Sequence, residues 1–231
     1  MKEDIFTISE STYVSMLELA ENASKYCVGM EGNISSCIND VVVIKSSGAR
    51  LDGLSVDDLV AFDFSGVQLS NFNRKGSMEL SFHMFLLGFS GIDFVSHTHP
   101  TNTLKILCSS LSNEFSKKRL FPDQVIFNGK ESCLVPYAKP GLELTEKIKD
   151  CVTTFMDVNE CLPKLILLEN HGIISCGKSV GECTITNDIC EKSAEIFIGL
   201  NKPNNCTYLT NSQINELVLD KNEKYRKNLL I

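Results

Sequence analysis

The sequence predicts an α/β fold, one domain in which helices cover a mixed or mainly antiparallel sheet. Three observations carry this. Short β-branched or apolar runs alternate with stretches of helical periodicity along the whole chain, and elements so interleaved bury their apolar faces by layering on a shared sheet. The connections from Val43 to Val60 and from Ile126 to Val135 look like hairpins, which favours antiparallel neighbours. No repeat or low-complexity linker divides the 231 residues, so positions 1–231 read as a single unit.

In order, residues 9–27 carry Tyr13, Val14, Met16, Leu17 and Leu19 at helical spacing. Val41–Ile44 is β-branched and short, hence a strand. Ser55 followed by Val56-Asp57-Asp58 signals one short helical turn with acids at its start, and Val60–Phe64 a strand stopped by Ser65-Gly66. Residues 78–89 return to helical spacing. Residues 92–96 form a strand running into His97-Thr98-His99-Pro100, and Pro100 suits the first turn of a further helix. Residues 124–127 and 132–135 are expected strands, 142–156 a helix, and Lys164–Leu168 a buried strand. His171-Gly172 breaks the chain before a strand at 173–176. Ser179 and Glu182 have capping-box spacing ahead of a helix to about Leu200, in which Cys183 and Cys190 share one face. A weaker helix follows from about Asn211.

With 22 Lys and Arg against 29 Asp and Glu, the net charge is −7, which gives no general attraction to nucleic acid. No apolar run approaches the roughly 18–20 residues of a membrane span, and MKEDIFTISE lacks the basic and apolar regions of a secretory signal. The ten cysteines come no closer than seven residues apart, so no CxxC pair exists. Reduced core thiols in a cytoplasmic protein are the expectation.

Chemistry concentrates on few side chains. Of four histidines, His97, His99 and His171 fall at strand ends or breaks. Residues i and i+2 of a strand point to one side, so His97 and His99 can aim both imidazoles at one point, with His171 completing a three-ligand metal site. An HxH pair alone is a weak signal, and the placement of the third histidine strengthens it. Glu79 opens a helix just after Lys75-Gly76-Ser77, and His83 stands one turn on. Glu79 reads either as a working carboxylate or as a first-turn acid favoured by the helix dipole. His83 reads as a fourth ligand or as the group that fixes the carboxylate. Three Gly/Ser loops, at Gly32-Asn33, Ser47-Gly48 and Gly76-Ser77, could cradle an oxyanion if the fold brings them together.

In that order (GNIS, SSG, a Ser-x-Glu-x-x-x-His helix, HTHP, NHG) the motifs resemble the class II aldolase/adducin family, fuculose-phosphate-aldolase-like sugar aldolases in particular, over about residues 10–200. Residues 205–231 are left as a helical tail. The resemblance implies an αβα domain with a central, mainly antiparallel sheet, and a homotetramer with its sites between subunits. It also implies a divalent metal, most often Zn2+, with Mn2+ or Co2+ as alternatives. It assigns His97, His99 and His171 as metal ligands, and Glu79 as the acid/base that can also ligate the metal. Gly32, Asn33, Ser47, Gly48 and Ser77 match the loops that hold a substrate phosphate. Two places depart from the pattern: Lys45-Ser46-Ser47-Gly48 stands for the usual TPSG, and Gly76-Ser77-Met78-Glu79 for PSSE. Met78 thus replaces a hydroxyl, and Lys45, Arg50, Arg74 and Lys75 are the cations nearby in sequence that could compensate. The stretch Arg119–Asp123 resembles one found in a branch of sugar aldolases and is given no chemistry.

The implied activity is retro-aldol cleavage of a ketose phosphate or related sugar through a metal-stabilised enediolate. A second acid/base is needed, and Tyr13, Tyr137, Tyr208 and Tyr225 carry no motif that selects one. Epimerases, dehydratases and decarboxylases of the family share the metal chemistry, and adducin-like interaction modules share the fold. A cupin-type hydrolase is disfavoured by the strong helices at 9–27 and 180–200. No nucleic-acid or membrane partner is expected.

Overall fold

A computed structural model describes residues 6–200 and 205–229. Its strands are β1 (Asn33–Ile38), β2 (Val41–Lys45), β3 (Leu59–Asp63), β4 (Phe94–Thr98), β5 (Cys133–Val135), β6 (Leu165–Leu168) and β7 (Gly172–Gly177). They form one seven-stranded sheet in the order β3-β2-β1-β4-β7-β6-β5. Every neighbouring pair is antiparallel except β5–β6, which is parallel, so the sheet is mixed and mainly antiparallel as expected.

The helices among the described residues are α1 (Glu10–Ser24), α2 (Leu80–Leu87), α3 (Thr101–Leu107), α4 (Ser112–Lys117), α5 (Pro122–Asn128), α6 (Leu142–Asn159), α7 (Val180–Gly199), α8 (Asn211–Leu219) and α9 (Lys221–Asn228). They sandwich the sheet. Phe82, Leu86 and Leu87 of α2 and Leu144, Ile148 and Val152 of α6 pack with Ile166, Leu168 and Ile174 on one face. The alternate residues Leu165, Leu167 and Ile173 turn to the other face, against α3 and Cys190, Ala194 and Phe197 of α7. Met16, Leu19 and Ala20 of α1 cover Ile34, Val43 and Ala61 on that same side. Two covered faces explain why these strands read as unbroken apolar runs rather than alternating ones.

Local chemistry sets several boundaries. Ser9 caps α1 by accepting from Thr12 N, and Ser179 caps α7 by accepting from Glu182 N. The box expected at Ser179 is only half made, because Glu182 accepts from Lys178 N instead. The reciprocal box occurs at Ser55 and Asp58.

Three expectations are corrected. Residues 124–127 are not a strand but lie in α5, started by Pro122 at its first turn with Asp123 beside it. The segment from Ile126 to Val135 is therefore no hairpin, and β5 pairs instead with β6. The Gly32–Ser35 segment is a loop only at Gly32, since Asn33 already belongs to β1, which sits between β2 and β4. Neither the strand β1 nor the short α4 was anticipated. Of the expected 205–231 tail, residues 211–219 and 221–228 are helical, and 230–231 lie outside the described residues.

Candidate metal centre and anion-binding cleft

Antiparallel pairing determines where the histidines meet. In register, Asn33 of β1 faces His97 of β4, and Thr98 faces Ile173 of β7. The end of β4 therefore lies beside the beginnings of both neighbouring strands. His97 is on that end, His99 just past it, and His171 in the turn that leads into β7. Glu79 reaches the same point as the N-cap residue of α2.

The four groups converge. The ring centres of His97 lie 4.8 Å from those of His99 and His171, and the possible ligand atoms of the three histidines all fall within 4.8 Å of one another. His97 Nε2 and His99 Nε2 stand 3.1 Å apart. Glu79 Oε2 is 3.4 Å from His97 Nε2, and Glu79 Oε1 is 3.6 Å from His171 Nε2. Burial pushes His97 down to about 3 and His99 to about 4, and lowers His171, so the rings are neutral near pH 7. His97 Nδ1 donates to Ile173 O at 2.9 Å, which places its lone pair on Nε2. His99 Nδ1 faces the Glu31 carboxylate at 3.6 Å, which orients that ring in the same sense.

A divalent ion fits this donor set. Two nitrogens about 2.0–2.1 Å from a tetrahedral ion stand about 3.3 Å apart, close to the Nε2–Nε2 separation. Glu79 Oε1 is buried without a hydrogen-bond partner, as is His171 Nδ1. An orphaned carboxylate oxygen aimed at imidazole lone pairs calls for a cation.

Behind the carboxylate runs a polar relay. Ser35 Oγ lies 2.6 Å from His83 Nδ1, His83 Nε2 bonds Asn33 Oδ1, and Asn33 Nδ2 donates to Glu79 Oε2 at 2.8 Å. The directions are self-consistent when the Ser35 hydroxyl donates to Nδ1 and Nε2–H donates to the amide oxygen. His83 is fully buried and stacked on Phe82, so it orients Glu79 through Asn33 rather than by direct contact. Of the two roles open for His83, the geometry favours the fixing group over a fourth ligand.

The three small-residue loops come together. Gly32, Asn33, Ser47, Gly48 and Ser77 line one cleft of about 230 Å³ with Glu79, His97, His99 and His171. Ser46 pairs with Gly76, and Ser47 N donates to Lys75 O at 2.8 Å, which clamps two of the loops side by side. Met30, Met78 and Pro140 complete the wall, together with Lys45, which is 3 % exposed. Larger cavities, about 520 Å³ beside β5 and α6 and about 500 Å³ under α8 and α9, contain none of the histidines.

Sequence reasoning missed Gly172 as a site residue. A Cβ there would stand 2.5 Å from Thr98 O, 2.6 Å from His99 Cδ2 and 3.2 Å from His97 Cε1. Only glycine lets β7 pass so close beneath the two rings. The signal was its place directly after His171. Among the tyrosines, Tyr208 is engaged by Glu114, and Tyr137 is exposed on the loop that also carries Pro140. Arg119 lies outside the cleft as a fully buried staple, donating to the carbonyls of Ser116, Lys118 and Gly129 and to Ser132 Oγ.

A family model, the class II aldolase and adducin N-terminal domain, matches residues 15–198. The chain belongs to this family. An L-fuculose phosphate aldolase of Methanococcus maripaludis is 29% identical over 174 residues, covering 74% of this chain and 87% of the relative. A 3-oxo-tetronate 4-phosphate decarboxylase of Escherichia coli is 27% identical over 219 residues, covering 93% of this chain and 98% of the relative. A solved L-fuculose 1-phosphate aldolase superposes with a TM-score of 0.76 at 17% identity, covering 95% of this chain and 98% of that one, a likeness of fold. Class II aldolase family membership thus agrees with the seven-stranded mixed sheet and its helical layers.

Proposed function

We propose that this member of the family is a metal-dependent carbon–carbon lyase that cleaves a ketose phosphate or related sugar by a retro-aldol reaction. The observation that carries the reading is the convergence of His97, His99, His171 and Glu79 in one cleft with the Gly32, Ser47-Gly48 and Ser77 loops. In this reading the three histidines hold the ion, with Glu79 as the fourth donor when no substrate is bound. The ion assigned in this reading is Zn2+, which suits imidazole, with Mn2+ or Co2+ as alternatives. When bound, it supplies Lewis acidity that polarises a carbonyl and a neighbouring hydroxyl of the sugar.

The chain's own residues do the rest. Neutral imidazoles leave the charge of an ion undiminished. Asn33 holds Glu79 Oε2, so Glu79 Oε1 is the oxygen free to exchange a proton with the carbon next to the carbonyl. The small-residue loops bind the phosphate and so fix which carbon faces Oε1.

A second reading, decarboxylation, is favoured by the greater span of the decarboxylase relative, 93% of this chain. Both reactions develop carbanion charge beside a carbonyl, and they differ in the fragment released.

The test is a panel of ketose phosphates and 3-oxo acid phosphates, scored for aldehyde and for CO2, with and without chelator. Aldehyde released only in the metal-loaded protein supports the aldolase, and CO2 the decarboxylase. Glu79→Gln is expected to keep its metal and lose at least 100-fold in turnover, the low end for a lost general acid/base. His97→Ala is expected to lose the metal, as read by elemental analysis. Retention of stoichiometric metal by a His97/His99 double variant would falsify the ligand assignment.

The resemblance also motivates a homotetramer. Met30 and Met78, exposed by 64% and 77%, line the cleft as surfaces that another subunit could cover. Light scattering in solution checks it. All ten cysteines are free, and no described helix is long and apolar enough to cross a membrane.

A further inference from the structure

The cleft contains an unusual charge. Lys45 ends β2 on the sheet face covered by α1, and its side chain is 3 % exposed. Its Nζ donates to Ala49 O at 2.6 Å and more loosely to Met30 O at 3.4 Å. Those carbonyls belong to the two chain segments that carry Ser47-Gly48 and Gly32. An ammonium so held joins both segments and places a donor on the cleft wall. Burying an unpaired lysine is costly, and among the described residues no carboxylate bonds to it.

The other cations near in sequence are committed or turned away. Arg50 makes two hydrogen bonds to Asp52 in solvent, Arg74 pairs with Asp58 at 3.1 Å, and Lys75 is exposed outside the cleft wall. Lys45 is thus the one Lys or Arg among the described residues that line the cleft. In a chain of net charge −7, with Glu79 in the same cleft, an incoming dianion needs such an offset.

We propose that Lys45 is the specificity determinant for a phosphomonoester, its ammonium attracting the phosphate dianion at the Ser47-Gly48 end of the cleft while its carbonyl bonds hold the two loops open to it. The inference rests on reading the cleft as a sugar-phosphate site and names the group that makes the phosphate obligatory. Lys45 is a binding residue that lines the same cleft as Glu79 but takes no proton in the reaction. Its loss raises KM for the phosphorylated sugar more than it lowers kcat.

The experiment titrates inorganic phosphate into the metal-loaded wild type, Lys45→Met and Lys45→Arg by calorimetry, with metal content and hydrogen exchange across 28–34 and 46–50 measured in each. Removing one charge-assisted contact predicts roughly 10- to 100-fold weaker phosphate binding in Lys45→Met, at full metal content. Lys45→Arg recovers most of the affinity, and added salt narrows the gap between wild type and Lys45→Met. Equal phosphate affinity in wild type and Lys45→Met overturns the proposal. So does a loss in Lys45→Met that Lys45→Arg leaves unrepaired while loop exchange rises, because Lys45 is then only a brace. Phosphate binding that depends on Lys45 without cleavage of any sugar phosphate would sink the lyase reading and leave this one standing. Cleavage with Lys45-independent affinity would do the reverse.

Discussion

At the residue scale, His97, His99, His171 and Glu79 were legible because their chemistry is scarce and their positions meaningful. Four histidines in 231 residues, three at strand ends, leave little room for coincidence. Gly172 was legible only as the residue after His171, since its role depends on the end of β4 that it passes. Lys45 was visible only as a possible compensating cation, and its burial needed the fold. Gly172→Ala is expected to push Thr98 O and both imidazole rings aside. Overpacking of this kind costs about 1–3 kcal/mol, and the displaced rings should weaken metal binding by at least about tenfold. Urea denaturation and a competitive metal titration read the two effects separately. Unchanged metal affinity would mean that β7 yields without moving the rings.

At the scale of elements, apolar periodicity located the long helices and the buried strands, because two covered sheet faces and broad helix faces leave strong signals. It failed where the segment is short. Gln124-Val125-Ile126-Phe127 has the composition of a strand, yet Pro122 and Asp123 start a helix there and Gln124 turns back to accept from Leu120 N. Asn33–Ile38 has two serines at its centre, and it becomes a strand because β2 and β4 offer partners on both sides. In β1 tertiary pairing overrode weak propensity, and in α5 local helix-start signals overrode a strand-like composition. The same region contains Arg119, pushed down to about 10 by burial but still charged at neutral pH, which ties α4, the turn after α5 and Ser132 together. Arg119→Met strands several buried carbonyls at about 1–3 kcal/mol each. A loss of about 3 kcal/mol or more is expected, with early hydrogen exchange in α4 and α5 and an unchanged metal content. A loss under 1 kcal/mol would show that water replaces the guanidinium.

For the whole molecule, the sheet's mainly antiparallel character followed from the hairpin joining β2 to β3, whereas the parallel β5–β6 edge carried no sequence signal. Burial also shapes the pH range over which the fold is stable. An unfolded histidine takes a proton near pH 6.5, while His97 and His99 resist it down to about 3 and 4, and His83 is held well below its ordinary value by burial. The unfolded chain then binds more protons, so without metal the stability is complete above pH 6.5 and declines as the pH falls from there. Burial pushes Cys133, Cys176 and Cys190 up to about 12, and Cys183 well above 9.0. Unfolded thiols ionise first, so stability is complete below pH 9 and declines as the pH rises toward 12. Lys164, lowered to about 7 by burial, and Lys45, also lowered by burial, work in the opposite sense, but they are two amines against four thiols. Urea midpoints at pH 5, 7.5 and 10.5, with chelator and reductant present, should peak at 7.5. Each fully buried group can add up to about 1.4 kcal/mol per pH unit on its limb. A flat profile would mean that these side chains are hydrated in solution.

The order of the strands has a consequence for biosynthesis. His97 and His99 leave the ribosome long before His171, with α3 to α6 and two strands between them, and until β7 arrives the central strand lacks one of its two neighbours. A nascent chain therefore has two of the three proposed histidine ligands on an unfinished edge. On the proposed ligand assignment full metal affinity waits for β7, so arrested or truncated polypeptides ending before that point are expected to bind metal more weakly than the whole chain.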